Sequence, residues 1–299
     1  MEGTVVRAAG GFFTVRDEGG RYYLCRARGR LQRDYGSILV GDAVLFQPDE
    51  INAGGESGAG EGTGVIEKLL PRRSYLSRPP VANIEQIVLV MALKDPSPDW
   101  QLAGRILLQA GREGLKVLCC LNKVDLVDKA EKNSVSAMLE PFPYPLLFTS
   151  AERGVGIAHL RETLQGRTTV FAGPSGAGKS SLLNAVQPDL ALKTGKVSDK
   201  IGRGRHITRH AELLPLRPAG FVVDTPGFSR LSLAGLKSDQ LAGLFPEFAS
   251  HLGRCTFRDC SHIHEPGCAV RDAVTAGEIS DCRYRQYRFF WKELIAEER

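Results

Sequence analysis

The sequence predicts a multidomain α/β protein with three parts: a small N-terminal OB-like β-barrel, a central parallel sheet covered by helices, and a C-terminal helical module. Three observations predict it. Short β-branched and aromatic runs fill the first 70 or so residues, apolar strands alternate with helical patterns from Ile84, and no such alternation continues after Phe245, where cysteines crowd together.

Size and composition allow this. A chain of 299 residues with 42% hydrophobic content is about two ordinary domain lengths and builds a real core beside smaller modules. Its longest apolar runs, Ile87–Leu93 and Lys116–Leu121, fall far short of the roughly 18 residues of a membrane span. The N-terminus shows no basic segment followed by an apolar run, so a soluble, cytoplasmic location with no membrane partner is expected. The net charge of +5 is unevenly placed, with Arg203, Arg205, His206, Arg209 and His210 in one segment and Arg283, Arg285, Arg288 and Lys292 in another. Each cluster fits either a nucleic-acid contact or a solvated face. Seven cysteines, three of them between Cys255 and Cys268 and two (Cys119, Cys120) inside an apolar run, read as metal binding plus core and not as disulfides.

The barrel is expected from five runs: Thr4–Arg7, Phe12–Arg16, Tyr22–Ala27, Ala43–Phe46 and Gly64–Leu69. Five strands with glycine-marked turns fit an OB-fold, a common RNA binder, with another small β-barrel as the alternative. The stretch from Asn52 to Gly62 is too rich in glycine to pack and reads as a loop inside this domain. The boundary falls at Pro71–Pro80, which gives domains over 1–70, 71–244 and 245–299. In the central part, strands are expected at Ile87–Ala92, Lys116–Leu121, Leu146–Phe148, Thr169–Ala172 and Phe221–Val223. Helices intervene, one opened by Asp99 as cap and one starting at Lys179.

The sharpest motif is Gly173, Pro174, Ser175, Gly176, Ala177, Gly178, Lys179, Ser180, which satisfies G-x-x-x-x-G-K-[ST] between an apolar strand and a helical segment that opens with Ser181. Its glycines let backbone amides close around phosphates, Lys179 reaches the β- and γ-phosphates, and the Ser180 hydroxyl ligates magnesium. A phosphate loop does not choose the base. Asn122, Lys123, Val124 and Asp125, at the end of the Lys116–Leu121 strand, resemble the N-K-x-D motif of GTPases. That resemblance implies that Asp125 accepts from guanine's ring and exocyclic N–H groups, Asn122 braces the loop and the Lys123 stem lies over the base. Thr149, Ser150 and Ala151, after the next strand, look like the matching segment whose amides meet the guanine oxygen.

Asp224-Thr-Pro-Gly227 has the D-x-x-G form that sets a carboxylate near magnesium and an amide near the γ-phosphate, and Thr208 is the expected γ-phosphate sensor through magnesium. The expected ligand is GTP or GDP with Mg²⁺. In ordinary GTPases the phosphate loop comes first and N-K-x-D last, and here the order is reversed. A sheet positions its loops whatever the order of its connections, so a circular permutation preserves one site.

Cys255, Cys260, His262 and Cys268 supply three thiolates and an imidazole, a closed set suited to one structural Zn²⁺, with His264 as a rival ligand. Phe228 stands where many GTPases carry a water-orienting glutamine, so intrinsic hydrolysis is expected to be slow. His206, two residues before Thr208, is a candidate for the missing group, against the alternative of a surface histidine in a basic loop.

Taken together, the barrel, Pro71-Arg-Arg-Ser74, Arg78-Pro79 with Val81-Ala-Asn83, the permuted motifs, Gly202-Arg-Gly-Arg-His206 and the Cys255–Cys268 spacing resemble the RsgA/YjeQ family of small-ribosomal-subunit biogenesis GTPases over nearly the whole length. The resemblance implies GTP hydrolysis stimulated by the small subunit, late maturation of that subunit through rRNA contacts, and His206 as the residue needed for activated hydrolysis. A monomer is expected. Ile207 departs from the threonine usual in the family after the histidine, and Thr208 keeps the second threonine position.

Overall fold

The computed structural model describes residues 1–29, 31, 37–49, 61–77, 80–192, 211–224, 233 and 235–298. These residues form two compact units, one from Met1–Ile87, Arg161–Phe171 and the described part of Val197–Phe228, the other from Val88–Leu160, the described part of Ala172–Lys196, and that of Ser229–Arg299.

In the first unit, β1 (Glu2–Ala9), β2 (Phe12–Asp17), β3 (Tyr22–Ala27), β4 (Ala43–Pro48) and β5 (Glu61–Leu69) pair in the order β1-β2-β3-β5-β4, and β4 returns to β1 to close the barrel. The β3–β5 pair is parallel and the other pairings are antiparallel. This is the five-stranded Greek-key order of an OB-fold. Alternation along the strands sends Val5, Val15, Cys25, Val44, Phe46 and Ile66 inward.

The proline- and arginine-rich stretch after the barrel is more ordered than a linker. It holds a hairpin, β6 (Tyr75–Ser77) with β7 (Pro80–Ala82), that the composition did not reveal. Arg72 donates to both oxygens of the buried Asp42 at 2.7 and 2.8 Å, and the Leu39 amide donates to the same carboxylate at 2.7 Å. The Arg73 amide donates to Asn83, whose Nδ2 donates to the Gly41 carbonyl, each at 2.9 Å. These bonds leave the buried carboxylate and amide paired and so dock the segment on the barrel.

The central strands are β8 (Gln86–Ala92), β9 (Lys116–Asn122), β10 (Leu146–Phe148), β11 (Thr168–Ala172), β12 (Glu212–Pro215) and β13 (Phe221–Asp224). β8 is buried at every position, the mark of a strand covered on both faces. β9 pairs in parallel with β10, and β11 with β13, while β12 runs antiparallel to β13 and meets β1 at Arg7. β12 was not anticipated: it is four residues ending in proline, too short for a periodic signal. The helices are α1 (Trp100–Arg112), α2 (Lys129–Leu139), α3 (Ile157–Leu164) and α4 (Lys179–Val186). α1 starts as expected, with the Asp99 carboxylate accepting from the Leu102 amide at 2.9 Å, and Asp128 with Glu131 forms a capping box on α2.

After three single 3₁₀ turns between Ser238 and Phe248, the C-terminal segment has α5 (Ala269–Thr275) and α6 (Asp281–Glu297). Phe245, Phe248, Tyr287, Phe290 and Leu294 form a core that includes Leu108 of α1, so this module shares apolar burial with the second unit. Its basic helix packs partly inward. Arg283 is fully buried, donates to Glu247 at 2.5 Å and lies over Phe245, and Tyr284 and Tyr287 pack inward. Of that cluster, Arg285 pairs with Asp281 one helical turn away. Among the described residues no helix is long and apolar enough to cross a membrane.

Candidate functional site

The base-reading and phosphate-binding segments meet in the second unit. Asn122 ends β9 and is buried; its Nδ2 donates to the Ala177 carbonyl at 2.9 Å and its Oδ1 accepts from the Thr149 hydroxyl at 3.1 Å. One side chain thus joins three loops that are far apart in sequence. The Val124 amide donates to the Thr149 carbonyl at 3.1 Å, and Ser150 is buried with its hydroxyl accepting from the Arg153 amide. Lys123 has a left-handed backbone (φ +63°) that turns the chain into the 3₁₀ turn Val124–Leu126, and it donates through Nζ to the Asp95 carbonyl. Asp125 lies in that turn and is half-buried. Ala151 follows Ser150 on the same rim, also half-buried.

The phosphate loop is built by its glycines. Gly173 (φ +142°) passes so close to β8 that a Cβ would come 2.0 Å from the Val90 carbonyl oxygen. Gly178 (φ +95°) caps α4, and a Cβ there would meet Asn122 Nδ2 at 2.2 Å. Glycine at 178 is therefore a condition for the base and phosphate loops to touch. Pro174 and Ser180 are half-buried, Ser175 and Gly176 are exposed, and Ser181 continues the first turn of α4. Lys179 folds back over the loop, donating from Nζ to the Gly173 and Pro174 carbonyls at 2.9 and 2.8 Å. Burial lowers its pKa, because taking the ammonium out of water disfavours its charged form. We predict that Gly178→Ala weakens GDP binding about tenfold or more in calorimetry, since alanine is strained at this φ and displaces the Asn122 amide, while thermal unfolding shows the fold retained.

Asp224 ends β13, where its backbone pairs with Glu212, but its side chain lies outside the described residues. His206, Ile207, Thr208, Gly227 and Phe228 lie outside them as well, as does the 203–210 basic cluster.

A second site sits in the C-terminal module. The ligand atoms of Cys255, Cys260, His262 and Cys268 all lie within 4.8 Å of one another. His262 Nδ1 is 3.5 Å from Cys255 Sγ and 3.4 Å from Cys268 Sγ, and the two sulfurs are 4.0 Å apart. A tetrahedron with metal–sulfur bonds of about 2.3 Å sets its sulfurs about 3.8 Å apart, so the donors fit zinc. His264 is outside this cluster; its amide donates to Glu265. The loop is shaped by Glu265, which accepts from the Ser261 amide (2.8 Å) and hydroxyl (2.6 Å) and from the Ile263 and His264 amides (3.2 Å each). Burial opposes its ionisation, yet the Ser261 hydroxyl and amide and further backbone amides of this loop hold its carboxyl at about 2. Sequence reasoning missed Glu265 because a lone glutamate among ligands carries no spacing signal of its own.

A phosphate loop, a base-reading loop joined to it by Asn122, and β-strands that carry these motifs in reversed order define a circularly permuted P-loop GTPase. Comparison with known proteins agrees. The chain matches the RsgA GTPase family over residues 69–234 and the RsgA N-terminal domain over residues 2–55. It is 48% identical over 299 residues to the small ribosomal subunit biogenesis GTPase RsgA of Moorella thermoacetica, covering 100% of this chain and 99% of that one, and 42% identical to the protein of the same name from Carboxydothermus hydrogenoformans, with the same coverage. The crystal structure of YjeQ from Thermotoga maritima superposes with a TM-score of 0.83 at 36% identity, covering 98% of each chain. That of YloQ, a circularly permuted GTPase, gives 0.80 at 32% identity, covering 99% of this chain and 95% of that one. The chain belongs to the RsgA GTPase family, and it is a GTPase that binds GTP and GDP.

Proposed function

We propose that the chain hydrolyses GTP to GDP and phosphate when stimulated by the small ribosomal subunit, and that it acts in late maturation of that subunit by binding rRNA. The observation that carries the nucleotide part is Asn122, which ties the base loop to the phosphate loop through Ala177 and to the Ser150 segment through Thr149. The ribosomal part is supported by membership of a family whose relatives are named for small-subunit biogenesis, and by an OB barrel suited to RNA.

In this reading Asp125 accepts guanine's N–H pair, and the Ser150 and Ala151 amides face the guanine oxygen. Gly173 to Ser181 wraps the phosphates, with Lys179 on the β- and γ-oxygens. Ser180 and Thr208 hold magnesium, whose charge offsets the phosphates, while Asp224 and Gly227 complete the γ-phosphate side. Phe228 has no hydrogen bond to offer the attacking water, so His206 orients it in the subunit-stimulated reaction. Cys255, Cys260, His262 and Cys268 hold a structural zinc. Residues 1–70 bind RNA, 71–244 turn over GTP and 245–299 form the zinc module with its basic helix. The protein works as a cytoplasmic monomer.

His206→Ala tests the catalytic part. Subunit-stimulated turnover falls by about 10² or more while GDP affinity is unchanged. An unchanged stimulated rate removes His206 from the mechanism, and a wild-type protein that binds subunits with no rise in turnover is instead an RNA-binding factor that uses GTP only as a structural ligand.

A further inference from the structure

Helix α6 makes directed contacts on two sides. Toward the metal loop, the Tyr284 hydroxyl donates to the His262 carbonyl at 2.8 Å and the Tyr287 hydroxyl to the Ser261 carbonyl at 2.7 Å. Toward α1, Gln286 Nε2 donates to the Trp100 carbonyl in that helix's first turn, and Arg105 makes a two-pronged ion pair with Glu293 at 2.5 and 3.0 Å. Gly104 lets the helices approach, since a Cβ there would come 2.8 Å from Gln286 Cδ. Gln286 is itself held: its Oε1 accepts from Arg283 at 2.6 Å, and Glu247 and the Phe245 ring fix Arg283 in turn. Apolar packing between helices tolerates sliding, whereas a buried amide satisfied at both ends specifies one register.

α1 opens directly after the loop Leu93–Asp99, and that loop is bonded to the base-reading segment and lies beside the phosphate loop. The Asp95 carbonyl accepts from Lys123, and at Gly176 of the phosphate loop a Cβ would come 3.3 Å from Pro96 Cδ. Asp95 has φ +47°, a left-handed conformation that costs a non-glycine residue energy and that surrounding contacts must hold. The metal loop is thus bonded to α6 through Tyr284 and Tyr287, α6 to Trp100 through Gln286, and Trp100 follows directly on the loop whose Asp95 carbonyl accepts from Lys123.

We propose that Gln286 is a positioning residue for guanine-nucleotide binding, acting through Trp100 and the Leu93–Asp99 loop, and that it couples GDP binding to zinc binding across α6. The inference rests on the nucleotide and zinc reading given above. Such coupling is reciprocal: the factor by which zinc tightens GDP is the factor by which GDP tightens zinc.

The test uses the full chain. Zinc affinity is measured by chelator competition with and without saturating GDP, and GDP affinity by calorimetry with and without zinc. In the wild type each ligand tightens the other by the same factor of about ten. In Gln286→Met, which keeps the side chain's length but removes donor and acceptor, the factor falls to about one, while zinc and GDP each still bind and the thermal transition persists. A wild-type factor of one overturns the proposal without reference to any variant, and a factor of ten that survives in Gln286→Met overturns the role of Gln286. Failure to bind GDP at all overturns the nucleotide reading together with this one, so the two failures are distinguishable.

Discussion

Lys179→Ala lowers GTP turnover by about 10² to 10³ in a phosphate-release assay, basal and stimulated alike. The ammonium is held over the loop by the Gly173 and Pro174 carbonyls, and burial lowers its pKa. A nucleotide phosphate is a countercharge for a buried ammonium, and the charge building on the transferred γ-phosphoryl group strengthens the contact in the transition state. GDP affinity also falls, by about tenfold, because the β-phosphate contact is lost. Arginine does not substitute, since its planar fork is bulkier than the point charge for which the two carbonyls are spaced. Circular dichroism of the variant matches the wild type, because α4 buries Leu182, Leu183 and Val186 without help from the lysine.

Cys268→Ala has the largest expected effect on stability. Zinc content falls from about one equivalent toward zero, and the C-terminal module loses its fixed packing, since structural zinc supplies a folding energy of about 10 kcal/mol in small modules of this kind. Cys268 is buried and caps α5, and His262 makes ring contacts with Phe248 and Tyr287, so the metal loop and the aromatic core stand or fall together. The same geometry sets a pH dependence. Burial first, and then the neighbouring cysteine sulfurs, pushes the Cys260 thiol up to about 12, and burial raises Cys268 as well. Without metal both are therefore protonated at neutral pH, and zinc must displace those protons to bind. Wild-type zinc affinity accordingly rises with pH between about 6 and 8, with a slope of about two protons or more in chelator competition. A pH-independent affinity contradicts this ligand set.

Much of this was legible in the sequence because the physics is local. Glycines at 173 and 178 sit where the backbone needs a positive φ or approaches another strand, and a motif of fixed spacing reports such needs directly. The Asp99 cap and the apolar run Ile87–Ala92 of β8 were legible for the same reason. What was not legible depends on distant partners. The β6–β7 hairpin hides in a segment whose prolines and arginines read as a linker, and it is docked by Arg72 on Asp42 and Asn83 on Gly41. β12 takes its identity from β13 and β1, not from its own four residues. Arg283 looked like part of a basic surface, yet Glu247, 36 residues earlier, draws it into the core. The spacing left His264 beside His262 as a possible ligand, and the left-handed backbone at His262 (φ +59°) accompanies its ring's approach to the sulfurs.

The central claim is that a guanine site of permuted connectivity is completed by the small ribosomal subunit. GTP turnover by the purified chain, alone, with isolated small subunits and with isolated large subunits, tests it most directly. Turnover is expected to be slow alone, because Phe228 cannot orient water, and to rise by about 10² or more with small subunits only. Turnover raised by large subunits and not by small ones, or fast turnover with neither, would contradict it.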